Sequence, residues 1–227
     1  MQYTRRFAIS FSVIFAVAGL FVIWSIAPVL TDKQPVASTK VLARDGSLLY
    51  EVSRTDEGLR TPVKLDRLPK SLVQAVIAAE DARFRSHSGV DWFATLRAVK
   101  NALVRGRATS GASTIEQQLI KNLYFPASRR TVVQKLREMT AAAYWSLAHS
   151  KDETLETYLN TVPFGNQANG VQTAALTYFR KDGADLTLAE SSMLAGVIAA
   201  PSAYDPYSQR AAANERRRSV LNRMSEQ

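Results

Sequence analysis

Residues 72–89 read L-V-Q-A-V-I-A-A-E-D-A-R-F-R-S-H-S-G, and this stretch sets the class of the chain. Leu72, Val73, Val76 and Ile77 recur at helical spacing, which predicts a helix with one buried face. Glu80 follows the apolar run A-V-I-A-A directly, so its carboxylate comes at the end of that face. A carboxyl among apolar neighbours is pushed up toward neutral pH and suits general acid or base work. Glu80, Phe84 and His87 are spaced i, i+4, i+7, so a continued helix would line them on one side. The alternative is an ordinary helix end, with Glu80 and Asp81 as an acidic pair in water and His87 as a structural hydrogen bonder.

Downstream the helical pattern continues almost to the end, near 91–104, 113–123, 128–149, 151–160, 169–179, 186–198 and 209–225. Breaks fall at Gly89, Gly106 to Gly111, Pro126, Pro163 to Gly170, Gly183 and Pro201 to Pro206, the residues that punctuate helices. Upstream, V-L-A-R-D-G-S-L-L-Y-E-V alternates around Asp45-Gly46, a hairpin signal. The expected fold class is mainly α with a small N-terminal β element, in one domain over 41–227. Residues 31–40, T-D-K-Q-P-V-A-S-T-K, read as a polar linker.

Residues 7–30 form an uncharged run of 24 residues behind Arg5 and Arg6. A helix of that length is about 36 Å long and can cross a bilayer core of about 30 Å. The arginines place residues 1–6 in the cytoplasm and everything beyond the run on the outer face. A cleaved signal peptide would have a shorter apolar region, and Pro28 follows the S-I-A sequence directly, a poor cleavage context. A single-pass transmembrane anchor in the plasma membrane is therefore expected.

Among 227 residues, 29 are Lys or Arg against 20 Asp or Glu, a net charge of +9. That surplus suits an anionic partner, and on the outer face of a membrane the partner is not nucleic acid. The absence of cysteine excludes a disulfide scaffold, a Cys-ligated zinc and a thiol nucleophile. With only His87 and His149, His-rich metal motifs are also excluded.

Two further clusters carry chemistry. In G-A-S-T-I-E-Q-Q-L-I-K-N, 111–122, Ser113 is placed to open a helix whose first N–H groups favour anions. Thr114, Gln117, Gln118 and Lys121 then share a face, offering neutral donors and one ammonium to a sugar or diphosphate. The same residues also read as a capping box, Ser113-x-x-Glu116, at the start of an amphipathic helix. In Q-K-L-R-E, 134–138, Lys135 and Glu138 are i, i+3 neighbours, by themselves worth only a surface ion pair. A longer segment, from K-D-E at 151 through Y-L-N at 158–160 and on to Phe179, reads as packing and turns.

The ordered set E-D-x-x-F-x-x-H-x-G, G-x-S-T-I-x-Q-Q-L-x-K-N, K-x-x-E and Y-L-N-x-x-x-x-G resembles the peptidoglycan glycosyltransferases of family 51. These occur as monofunctional enzymes and as the first domain of class A penicillin-binding proteins. The resemblance runs from about Val41 to Met224 and includes L-A-G-V-I-A-A-P-S-A-Y-D-P at 194–206. It implies a lysozyme-like, two-lobed helical fold on the membrane, and the polymerisation of lipid II into lipid-linked glycan. By the same resemblance Glu80 is the general base and Glu138 the second essential carboxylate. Lys121 and Lys135 offset charge on the leaving diphosphate. Thr114, Gln117, Gln118 and Asn122 position sugar and phosphate, with Asp81, Phe84, His87 and Ser113 also in the substrate site. No cofactor is implied, a divalent cation (Mg or Mn) stays open, and other cell-wall synthesis proteins are candidate partners.

Two positions depart from the family pattern: Glu116 stands where threonine is usual, and Gln134 where arginine is usual. Glu116 is explained by the capping box, and Arg137, one turn along, is the candidate to compensate for Gln134. The chain has no S-x-x-K and no K-T-G, so the transpeptidase machinery of the bifunctional relatives is missing from it. Its length favours a monofunctional enzyme over a truncated bifunctional one. Competing expectations are a lysozyme-like hydrolase or lytic transglycosylase, and a weakly active scaffold that binds lipid II.

Overall fold

A computed structural model of the chain describes residues 16–31, 33, 35–46, 48–53, 58–105, 113–126, 129 and 131–227. Nine helices occur among them: α1 over 16–26, α2 Lys70–Glu80, α3 Trp92–Arg105, α4 Ile115–Tyr124, α5 Val132–Ala148, α6 Lys151–Thr161, α7 Val171–Phe179, α8 Leu188–Ile198 and α9 Arg210–Ser225. The chain is mainly helical, as its periodicity predicts.

The expected hairpin forms as β1, Thr39–Leu42, paired antiparallel with β2, Leu48–Val52, across a turn in which Gly46 has φ +84°. A second sheet was not expected. β3, Leu59–Arg60, runs parallel to β5, Ala168–Asn169, and β5 runs antiparallel to β4, Pro163–Gly165. The segment read only as turn chemistry thus pairs with a strand more than a hundred residues upstream. Pairing across that separation leaves no local pattern for period analysis to detect.

The core is one cluster centred on α2, α4, α6, α7 and α8. Leu72, Val76, Ile115, Leu119, Leu155, Leu159, Ala174 and Leu194 are all fully buried in it. α8 packs against both α2 and α9, while α4 packs against both α5 and α6. Two buried polar pairings tie this frame together. Asn160 clamps the segment before α2, donating Nδ2 to Val63 O at 2.8 Å and accepting Val63 N–H on Oδ1 at 2.9 Å. Trp145 Nε1 donates to Thr154 Oγ1 at 3.0 Å, tying α5 to α6.

No helix among the described residues is long and apolar enough to cross a membrane. Of the expected 7–30 span, residues 7–15 lie outside the described residues, as do Arg5 and Arg6. The described remainder, α1, exposes Val17, Leu20, Ile23 and Trp24. Its far end is docked on the domain. Arg137 of α5 stacks between Trp24 and Phe125, at 3.8 and 4.3 Å from their ring centroids, and donates to Trp24 O at 3.2 Å. Val29 is buried in the main core, and Lys33 N–H donates to Tyr124 OH at 3.1 Å.

Candidate active site

The chain leaves the helix at Asp81, where φ is −157° and ψ 80°. Phe84–Ser86 form a separate 3-10 turn, so Glu80, Phe84 and His87 do not line one helix face. The reason is the work done by Asp81, which is buried. It accepts the Ile115 N–H at 3.1 Å, capping the first turn of α4, and accepts from His87 Nε2 at 2.9 Å. Those two bonds hold the E-D-x-x-F-x-x-H loop against α4, and Gly89 closes it. Gly89 has φ +80°, and a Cβ there would lie 2.3 Å from the Ala142 carbonyl oxygen of α5; only glycine fits. Phe84 is fully buried, with the Lys151 ammonium 4.3 Å from its ring centroid. Asp81, Phe84 and His87 therefore build the site's wall.

α4 begins one residue later than the sequence suggests. Thr114, not Ser113, is the cap: its hydroxyl accepts the Gln117 N–H at 3.2 Å and donates to Gly89 O at 2.7 Å. Thr114 is buried. The expected capping box is absent, because Glu116 turns inward instead. It is fully buried, and its Oε1 accepts a short bond from Lys151 Nζ at the start of α6. Gly111 and Ala112 of the same motif lie outside the described residues.

The adjacent glutamines of α4 face two different carboxylates' surroundings. Gln118 donates Nε2 to Glu80 Oε2 at 2.9 Å, and its Oε1 accepts from Tyr158 OH at 2.9 Å. Gln117 accepts on Oε1 from Lys135 Nζ at 2.5 Å, and Lys135 also donates to Ser113 Oγ at 2.7 Å. On α5, Gln134 Nε2 reaches Glu138 Oε1 at 3.4 Å, and Glu138 is 7% exposed. Lys121 and Asn122 follow half-buried on α4. The structure thus joins Glu80 to Gln118 and Tyr158 on one side of α4, and Lys135 to Gln117 and Ser113 on the other, with Glu138 beside Lys135 on α5.

Burial governs the charges here. The Glu80 side chain is 8% exposed, and desolvation raises its pKa above the ordinary carboxylate value. The Gln118 bond and the charges of Arg216 and Arg223 oppose that rise, while Asp81 adds to it. Burial pushes Lys135 down, and Lys121 assists; Glu138 works the other way. Tyr158 is pushed well above its usual value by burial next to Glu80 and Asp81, so its hydroxyl stays a donor to Gln118. Glu80 Oε1 is buried and has no hydrogen-bond partner.

Asp81, His87 and Glu116 offer ligand atoms within 4.8 Å of one another, the one grouping among the described residues able to hold a metal ion. Lys151 already supplies a positive charge to that cluster, and His87 already bonds Asp81. This donor set fits a resident cation poorly.

Sequence reading missed Lys151, Tyr158, Arg216 and Arg223 as site residues. Lys151 and Tyr158 belong to a segment that reads as packing and turns, and the two arginines belong to the 209–225 stretch, read only as a helix. Arg137 was expected to compensate for Gln134; its guanidinium is instead enclosed by Trp24 and Phe125. The departure at Gln134 stands uncompensated by that residue.

The transglycosylase family model matches residues 45–225. The chain belongs to the transglycosylase family. Penicillin-binding protein 1A of Neisseria lactamica is 42% identical over 198 residues, 87% of this chain and 24% of that protein. Its counterpart in Escherichia coli (strain K12) is 41% identical over 195 residues, 86% of this chain and 22% of that protein. In Vibrio cholerae serotype O1 the figures are 40% over 195 residues, 86% and 23%. This transglycosylase chain spans about a quarter of the length of those relatives. A crystal structure of penicillin-binding protein 1A from Haemophilus influenzae aligns with a TM-score of 0.46 at 27% identity, covering 85% of this chain and 19% of that one.

Proposed function

We propose that this chain is a membrane-anchored peptidoglycan glycosyltransferase that polymerises lipid II into lipid-linked glycan strands, with inversion and release of undecaprenyl diphosphate. It acts on the outer face of the plasma membrane, held by a single-pass anchor with a cytoplasmic N-terminus. The supporting observation is the state of Glu80: a desolvated carboxylate with one oxygen fixed by Gln118 and the other, Oε1, without a hydrogen bond. A carboxylate so held is ready to accept a proton from a sugar hydroxyl.

In this reading Oε1 takes the proton of the acceptor 4-hydroxyl as its oxygen attacks the anomeric carbon of the growing chain. The bond from that carbon to the diphosphate breaks on the opposite side. Lys135, fixed by Ser113 and Gln117, and Lys121 behind it offset the charge gathering on the diphosphate; such preorganised charge is worth most in a site shielded from water. Glu138, beside Lys135, opposes the downward pull of burial on that ammonium. The reading covers glycan polymerisation alone, since S-x-x-K and K-T-G do not occur in the 227 residues.

The test is incubation of the full chain in detergent with lipid II, with polymer resolved on a gel. Glu80→Gln should lower kcat by about 10²–10⁴ with its melting temperature held or raised, because a desolvated charge is removed. A folded Glu80→Gln protein with full activity would remove Glu80 as the base. Product analysis that found cut glycan and no polymer would favour the hydrolase.

A further inference from the structure

α9 carries N-E-R-R-R-S-V at 214–220, which in isolation reads as a solvated basic helix. Packing changes this for two of its guanidiniums. Arg216 is drawn inward, its side chain 15% exposed, and its Nη2 stands 3.9 Å from Glu80 Oε1. Arg223, two turns on, donates Nη1 to Ala79 O at 2.9 Å. The pair brackets the end of α2 that bears Glu80. Room for Arg216 comes from Gly196 on α8: a Cβ there would lie 3.0 Å from the Arg216 Cγ.

We propose that Arg216, seated by Gly196, is a positioning residue that keeps Glu80 ionised and so sets how acidic a medium the enzyme tolerates. The inference rests on Glu80 acting as the base. Its geometry separates charge from hydrogen bonding. At 3.9 Å the guanidinium is too far to bond Oε1, which leaves that oxygen's lone pairs for the substrate hydroxyl. Its charge still acts across that distance, and acts strongly because little water intervenes.

The Gln118 hydrogen bond and the charge of Arg223 also favour the ionised form, but Arg216 places its charge beside Oε1, the oxygen that Gln118 leaves open. Gln118 of α4 is neutral, and Tyr158 of α6 donates its hydroxyl to Gln118. Asp81 is an anion and opposes ionisation. Arg223 is turned onto the Ala79 carbonyl and assists from there. When Oε1 takes the substrate's proton the attraction of Arg216 for the carboxylate is lost, which favours passing the proton on and restoring the carboxylate.

The experiment compares kcat and KM over pH for the full chain and for Arg216→Gln. Arg216 holds the Glu80 pKa down, so removing it moves the acid limb of kcat to higher pH. Activity at the acid end should fall about tenfold and recover as pH rises, with KM for lipid II changed by less than about twofold. Arg216→Lys should restore most of the acid limb. Gly196→Ala, which crowds the Arg216 side chain at its Cγ without deleting the charge, should shift the limb in the same direction by a smaller amount. A carbon-13 titration of the Glu80 carboxyl in native and Arg216→Gln proteins reads the coupling without turnover. An equal loss at every pH, or a Glu80 that titrates alike in both proteins, would overturn the proposal. Full activity in Glu80→Gln would instead overturn the base assignment, leaving the titration result intact.

Discussion

Replacing Lys151 with methionine is expected to be far more damaging than replacing its partner Glu116 with threonine. Glu116 is fully buried; one oxygen is bonded by Lys151, and the other has no hydrogen-bond partner. Taking Lys151 away leaves an uncompensated carboxylate in the core, a change that costs about 3–5 kcal/mol for a buried pair. The Lys151 side chain is 23% exposed, so water can reach the vacated side, which puts the cost near the lower bound, about 3 kcal/mol. For a chain of this size that is a fall of about 6–12 °C in melting temperature. Glu116→Thr removes the buried charge itself and frees an ammonium already near solvent and lying over the Phe84 ring. Its cost should stay below about 1 kcal/mol, since a buried ion pair adds little over a neutral replacement. In the double variant most of the Lys151→Met loss should vanish, giving a coupling of about 2 kcal/mol or more. Thermal and urea unfolding of the four proteins in one detergent measures the cycle. A Lys151→Met protein within about 0.5 kcal/mol of native, or strictly additive single changes, would refute the account of Glu116 as a charge held by Lys151.

Two other outcomes follow from the same contacts. Trp24→Ala should lower stability by about 1 kcal/mol through the lost stack on Arg137, seen as a fall of about 2–4 °C in melting temperature; no change would mean that α1 is not held by α5. Gln134→Arg should tighten binding of inorganic diphosphate about tenfold through charge-assisted bonds, measured by calorimetry; unchanged affinity would place the diphosphate away from the start of α5.

Much of the helical frame was legible because apolar spacing is a local property. The predicted stretches near 91–104, 151–160 and 209–225 fall on α3, α6 and α9 within a residue or two. The hairpin was legible for the same reason, its signal being Asp45-Gly46 between alternating strands. Motif order likewise pointed to Glu80, Gln117, Gln118, Lys135 and Glu138 together, and it led to the family that residues 45–225 match.

What the sequence could not decide is which way a polar side chain turns when two elements meet. Thr114 and Ser113 are neighbours of similar chemistry, yet one caps α4 and the other receives Lys135. Glu116 has the spacing of a capping residue, but it turns inward to an ammonium supplied by α6. Arg137 lies in the motif and is turned away from it by two aromatic rings. Arg216 lies in none of the quoted motifs and stands beside Glu80, packed against Gly196 of α8. Periodicity determines where a helix buries a face. The long-range approach of helices determines which charges lose their water, and with it which of them carry the chemistry.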